Sequence, residues 1–329
     1  MDNPDKFIFT YVDEDREGIF SDLTNTDGRK QIDFLLSHKR YNNKILNQFE
    51  KICLSYKLNK KFYVPFQTLF YNLDSYKFKD EYNYHIIVPT TSISKFSSKY
   101  LTNFKSKHPN VFLYALVTDS MHANSPHMDL VRDKLFSNVW EKVLTYDKYD
   151  AAEFGFTWFG YTYYSSFNNV NPDIEESDLY YVGYDKGNRD KTVSNIYQQA
   201  IQHNISARFD VVSNKKNNEN GLVYLSAKIS YLDVIARAKS SNCILEILQE
   251  NQETQSLRYF EAIAYNKKLL SNNKNIFELP FYNEKYMKYI NSINDIDWNW
   301  VKTKEEINYG YSGEFSPINL IKFINSIKR

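Results

Sequence analysis

Residues 179–191, LYYVGYDKGNRDK, carry an apolar run up to Gly183, then a charged turn with Gly187, then Arg189 at the start of a helical pattern. In an open parallel sheet, ligands gather outside the carboxyl ends of the strands, where helix N-termini favour anions. Lys186 and Arg189 supply charge for a phosphate, and the glycines let backbone amides approach it. The spacing is Gly-x3-Gly, which is neither the GxGxxG of dinucleotide sites nor a Walker loop, since no Gly-Lys-Ser/Thr follows. By itself it is also an ordinary strand-to-helix connection. A second stretch, LEILQENQETQSLRYFEAIAYNKKLLSNN (245–273), runs from a strand through a polar loop, 249–255, into a helix. The first turn of that helix holds Ser256 and Arg258, and Glu261 follows one turn later on the same face. Arg258 is placed to pair with a diphosphate and Glu261 to accept hydrogen bonds from ribose hydroxyls. The same residues equally describe a Ser-capped helix with a surface Arg-Glu pair.

A carboxylate at the end of VFLYALVT, Asp119, is the best-placed acid of the first half to act as general base toward a hydroxyl, or else to cap the next helix. His122 and His127, in MHANSPHMD, suit the same role, because neutral imidazole accepts protons near pH 7. Their spacing is not a zincin's and no glutamate lies between them, so no metal site is expected. Tyr161, Tyr163 and Tyr164 are read as packing residues rather than as platforms for a sugar.

These residues need elements to hold them. FIFTYV (7–12), YHIIVPT (84–90), VFLYALVT (111–118) and WEKVLTY (140–146) read as strands, with helical spacing over 42–57, 94–107, 127–136 and 150–154. After 161–178, which loses periodicity and gathers Asn, Pro and acidic residues, the alternation restarts. Strands are expected at 179–183, 207–212, 243–248 and 268–271, and helices at 189–203, 230–239 and 256–265. A last helix begins at Pro317, with Ser316 as its cap. Alternating strands and helices predict parallel sheets covered on both faces. The expected domains are 1–170 and 171–312, followed by the helix 313–329.

The chain has 329 residues, 42% hydrophobic and 25% charged, and a net charge of +1, which places it among soluble globular proteins and argues against a dedicated nucleic-acid binder. No stretch approaches the roughly 18 apolar residues of a membrane span, and no signal peptide is read at the start. Cys53 and Cys243 are expected as buried thiols in a reducing cytosol. Residues 44–107 hold eleven Lys against four acidic residues, either solvated helix faces or a docking surface for anionic lipid or a phosphate-bearing acceptor.

The pair YVGYDKGNRDK and QSLRYFEAIAYNKKLLSNN resembles the C-terminal donor half of GT-B glycosyltransferases, and most nearly a bacterial group from capsule, exopolysaccharide and lipopolysaccharide loci. The shared pattern is Gly-x-x-(Leu/Ser)-x-x-Arg-x-x-Glu-Ala followed by Lys-Leu-(Ile/Leu)-(Thr/Ser)-x-Asn, and YDKYDAAEFGFTW (146–158) resembles the end of the first half of those proteins. The resemblance covers about residues 140–282 and departs where Gln255 replaces a glycine. It implies two Rossmann-like α/β domains facing a cleft, 1–170 on the acceptor side and 171–312 on the donor side, with the helix 313–329 packing back toward the first. It also implies a donor site of Lys186, Gly187, Arg189, Gln255, Ser256, Arg258 and Glu261. Glu253 with Glu261 fits the Glu-x7-Glu of many retaining members and joins Asp119 and His122 as a candidate catalytic group.

The expected activity is metal-independent transfer of a sugar from a nucleotide diphosphate sugar to a glycan, glycoprotein or lipid-linked acceptor, with no further cofactor and no nucleic-acid partner. The expected place is the cytoplasm, with peripheral contact at the inner face of the cell membrane through the basic 44–107 segment. The alternatives are a non-catalytic carbohydrate-binding or partner subunit of the same fold, and another nucleotide-sugar-modifying or methyl-transferring Rossmann enzyme.

Overall fold

The chain builds two six-stranded sheets, and every pairing between their described strands is parallel. The computed structural model describes residues 3–11, 20–25, 32–39, 41–55, 58, 66–122, 126–162, 164–167, 170, 174–185, 189–213, 222, 224–249 and 252–327. Contacts divide the chain into one unit of Met1–Tyr163 with Pro317–Arg329 and a second of Tyr164–Ser316.

In the first unit the strands are β1 (Asp5–Tyr11), β2 (Ile32–Leu36), β3 (Asn83–Pro89), β4 (Val111–Val117), β5 (Lys142–Thr145) and β6 (Thr157–Trp158), in the spatial order β2-β1-β3-β4-β5-β6. The helices are α1 (Asp22–Asn25), α2 (Lys44–Cys53), α3 (Thr90–Ile93), α4 (Ser98–Lys107), α5 (Pro126–Leu135) and α6 (Lys148–Phe154). Strand β4 is apolar throughout and β3 from Ile86 onward, and both are buried along almost their whole length, as strands covered on both faces are. Local chemistry sets the helix starts: Ser97 accepts from the Tyr100 amide at 3.2 Å, and Asp147 accepts from the amides of Tyr149 and Asp150. Gly155 ends α6 in the left-handed conformation, at φ 70°.

The second unit holds β7 (Ser177–Tyr184), β8 (Ala207–Val212), β9 (Tyr224–Leu225), β10 (Ser241–Glu246), β11 (Lys268–Ser271) and β12 (Met287–Tyr289), ordered β12-β11-β10-β7-β8-β9. Its helices are α7 (Arg189–Gln202), α8 (Tyr231–Lys239), α9 (Leu257–Ala264) and α10 (Trp298–Lys302). Numbered within the unit this is the 3-2-1-4-5-6 order of the doubly wound Rossmann sheet, and its direction reverses between β7 and β10. Alternation along β7 sends Leu179 and Tyr181 into one core, with Val193 and Ile196 of α7, and turns Tyr180 to the opposite face. The last helix, α11 (Pro317–Ile327), belongs to the first unit and packs on α1. Cys53 and Cys243 are buried thiols. Among the described residues no helix is long and apolar enough to cross a membrane.

Candidate functional site

The reversal between β7 and β10 is where a doubly wound sheet opens a crevice at its carboxyl edge, and Arg189 stands across it. As the first residue of α7, it donates from Nη2 to the Tyr184 carbonyl at the end of β7, and from Nη1 to the Ile247 carbonyl just past β10, at 3.4 Å. Its Nε is buried without a hydrogen-bond partner among the described residues. Lys186 and Gly187 lie outside the described residues. Gly183, expected to close the strand and to let backbone amides approach a phosphate, sits inside β7 and has no left-handed φ. A Cβ there would come within 2.6 Å of the Tyr181 hydroxyl and 3.5 Å of Arg189 Nη2, so glycine is required for the close packing of those side chains.

The next strand end is pinned by a residue that the sequence reading passed over. Glu246, fully buried at the last position of β10, accepts from the amide and hydroxyl of Ser256, both at 2.7 Å, and from the Ser271 hydroxyl at 2.6 Å. One carboxylate thereby ties β10, the start of α9 and β11 together. Burial pushes its pKa up against the pull of those hydrogen bonds. A lone acid inside the run CILEIL was the signal that could have found it. Ser256 caps α9, its hydroxyl accepting from the Arg258 amide at 3.2 Å.

Arg258 and Glu261 are brought together as the spacing foretold, with Nη2 to Oε1 at 2.5 Å, but the pair is not on the surface. Glu261 is 0% exposed and Arg258 9%, within electrostatic reach of Tyr180, Tyr231 and Tyr164. Burial pushes the Glu261 carboxyl up to about 7, and Arg258 only partly offsets this. Glu261 Oε2, Arg258 Nη1, Gln255 Nε2 and Asn273 Nδ2 are buried and have no hydrogen-bond partner among the described residues. Buried polar groups are nearly always paired, so these four atoms, on the loop before α9, on α9 itself and just past β11, are polar capacity that the described fold does not use. Gln255 engages only its oxygen, which accepts from the Thr254 hydroxyl at 2.8 Å. Glu253 pairs its carboxylate with Lys274 at 2.5 Å, and its carbonyl accepts from Asn275.

At the head of the first sheet, Asp119 is half-buried, two residues beyond the end of β4. The exposed His122 shares a 2.8 Å contact with Glu153, a carboxylate absent from the sequence reading. His127 is the second residue of α5, and its side chain lies outside the described ones. Asp150, also unforeseen, is fully buried, accepting from the Met121 amide at 2.7 Å and the Ser120 hydroxyl at 3.4 Å. Burial pushes its carboxyl up to about 6. A small cavity at the β1–β3 reversal is walled by Phe9, Thr10, Phe20, Phe34 and Pro89. Tyr164 is a packing residue as expected, fully buried, stacked on Phe260 and bonded to the Tyr265 hydroxyl at 3.1 Å. Tyr161 meets Trp158 edge-on, and Tyr163 lies outside the described residues.

No protein-family model matches the chain, and no curated protein matches its sequence. Among solved structures it is similar to Staphylococcus aureus TarM, solved with UDP, at 12% identity and TM-score 0.46, over 74% of this chain and 55% of that one. It is also similar to the Methanocaldococcus jannaschii UDP-GlcNAc 2-epimerase, at 11% identity and TM-score 0.49, over 98% and 99% of the two chains. A trehalose-phosphate synthase (UDP-forming) from Burkholderia vietnamiensis matches at 8% identity and TM-score 0.46, over 81% and 84%. Such distant likenesses assign neither ligand nor reaction to this chain, whose site is defined by strand order and side-chain geometry.

Proposed function

We propose that this chain is a glycosyltransferase that holds the diphosphate of a nucleotide sugar at the head of the second sheet. It passes the sugar to a hydroxyl of a glycan, glycoprotein or lipid-linked acceptor in bacterial surface polysaccharide synthesis. The observation that carries the reading is Arg189, a cation fixed across the carbonyl ends of β7 and β10 at the reversal of a Rossmann sheet. The sequence pattern around Lys186, Gly187, Ser256, Arg258 and Glu261 supports it.

In the proposed step the bond from the anomeric carbon to the phosphate oxygen breaks, and negative charge develops on the leaving diphosphate. Arg189, Lys186 and the N-termini of α7 and α9 stabilise that charge without a metal ion. The acceptor oxygen forms the new bond and gives its proton to a base drawn from Asp119 and His122. Ser256 and Arg258 serve the phosphate end, Gln255 Nε2 is a donor toward the bound sugar nucleotide, and Glu261 Oε2 is the acceptor for a ribose hydroxyl. The reaction runs in the cytoplasm, with peripheral contact at the membrane.

A second reading, a non-catalytic carbohydrate-binding or partner subunit that keeps the fold, is favoured by the burial of the Arg258–Glu261 pair, which leaves these side chains little access to a ligand. Thermal stabilisation across UDP, GDP, CDP and CMP tests both readings, followed by hydrolysis assays of sugar nucleotides carrying the stabilising base. Binding with turnover supports the transferase, and binding without turnover under any acceptor supports the partner subunit. Absence of stabilisation by every nucleotide, or its survival in Arg189→Ala, overturns the donor site.

A further inference from the structure

The helix α2 is built the wrong way round for a soluble surface. Asn43 caps it, accepting from the Ile45 amide at 2.8 Å and the Leu46 amide at 3.3 Å, so the helix is locally well specified. Ile45, Phe49 and Ile52 stand at helical spacing on one stripe, and that stripe points outward: they are 78%, 42% and 51% exposed. The only acid of the helix, Glu50, points inward instead, buried and paired with His38 at 3.5 Å. Beside the stripe, Phe66 and Leu69 are 58% and 56% exposed, and the Phe66 ring lies 6.4 Å from that of Phe49. Phe66 takes a left-handed φ of 69°, uncommon for so bulky a residue, and holds its ring in the same patch. Contiguous apolar exposure of this kind marks an interaction surface.

Charge identifies the occupant. Lys44 and Lys51, seven residues apart, are exposed along the neighbouring side of α2. Residues 39–61 carry six Lys and one Arg against the single acid Glu50, which is turned away. An apolar helical stripe edged by lysines matches an anionic bilayer surface, where the side chains enter the acyl boundary and the ammonium groups meet phosphates. In an isologous dimer, by contrast, the basic edges of two copies would face each other.

We propose that the outward face of α2, with Phe66 and Leu69, docks on anionic phospholipid bilayers. The inference is independent of the transfer reaction, because the lipid assay needs no sugar nucleotide. The test is co-sedimentation of the full chain with phosphatidylcholine vesicles, with and without phosphatidylglycerol, at low and high salt. Binding is expected to the anionic vesicles, to weaken with salt, and to fall at least about tenfold in Ile45→Asp/Ile52→Asp. Lys44→Glu/Lys51→Glu, at exposed positions, is expected to lose about tenfold or more, and only on anionic vesicles. Unchanged binding by both variants overturns the proposal. So does a failure to bind anionic vesicles, including the case where sedimentation equilibrium shows a dimer that Ile45→Asp/Ile52→Asp dissociates.

Discussion

The heads of the two sheets use buried carboxylates differently. In the first unit Asp150 has both oxygens engaged, by the Met121 amide and the Ser120 hydroxyl, and holds the turn after β4 in place. In the second, Glu246 does the same work for the turn after β10, with three hydrogen bonds. Only the second head adds a further set of buried polar atoms left unpaired among the described residues, on Gln255, Arg258, Glu261 and Asn273. A turn that only has to be held is satisfied by one pinned carboxylate. A turn that carries surplus donors and acceptors, next to a fixed arginine, has polar capacity that its own fold does not use. In the proposed reaction the first head supplies the base and the second head the binding surface.

The largest expected effect sets the two heads against each other in kinetics. Asp119→Asn is expected to lower kcat by about a hundredfold or more with nucleotide affinity unchanged, whereas Arg258→Ala weakens nucleotide binding. If His122→Ala shows the larger fall in kcat, the base is the histidine.

Next comes stability, read by urea unfolding. Glu246→Ala removes the acceptor of three donors, the buried Ser271 hydroxyl and the half-buried amide and hydroxyl of Ser256, and is expected to lose about 3 kcal/mol together with nucleotide binding. Asp150→Ala, with fewer hydrogen bonds, is expected to lose about 1–2 kcal/mol and to keep nucleotide binding. Equal losses of binding in the two variants would erase the contrast between the heads.

The pH dependence is a smaller and separable effect. Asp150 is raised from 3.8 to about 6 and Glu261 from 4.5 to about 7, so in each case the folded chain holds the proton more tightly than the unfolded chain. The stability from each group is therefore present in acid and lost as pH rises through its folded value. Asp150→Asn is expected to flatten the stability curve between about pH 4 and 6, and Glu261→Gln between about pH 4.5 and 7. A slope unchanged by either substitution would remove burial as the dominant influence on that carboxyl. The smallest effect is at the His122–Glu153 contact, where both side chains are about half exposed: Glu153→Gln should change stability by less than about 0.5 kcal/mol in thermal unfolding.

Most of the fold was legible because its strands are continuous apolar runs bounded by polar turns. The segments 207–212 and 268–271 were read to the residue, and β7 was read within two residues at one end and one at the other. The two units divide at Tyr163–Tyr164, a few residues before the expected boundary at 170, because residues 164–167 are tied to the second unit through Tyr265 and Lys239. Four strands escaped: β2, of five residues, and β6, β9 and β12, of two or three, exist through pairing with β1, β5, β8 and β11 rather than through their own pattern. At the site, Ser256, Arg258 and Glu261 were legible from helix spacing. Glu246, Asp150 and Asn273 were not, because their partners lie elsewhere in the chain or in bonds that spacing does not encode.

The sequence by itself determined the alternation of strands and helices, and with it two parallel sheets, since backbone periodicity is a local property written in residue order. Direction was decided only in three dimensions. The spacing of Ile45, Phe49 and Ile52 specifies an apolar stripe on α2, and that of Arg258 and Glu261 specifies a pair on α9, but neither says which way the helix is turned. Packing turned the first outward and the second inward. It also set Arg189 across two strand ends far apart in the chain, because burial is settled by what long-range contacts leave uncovered.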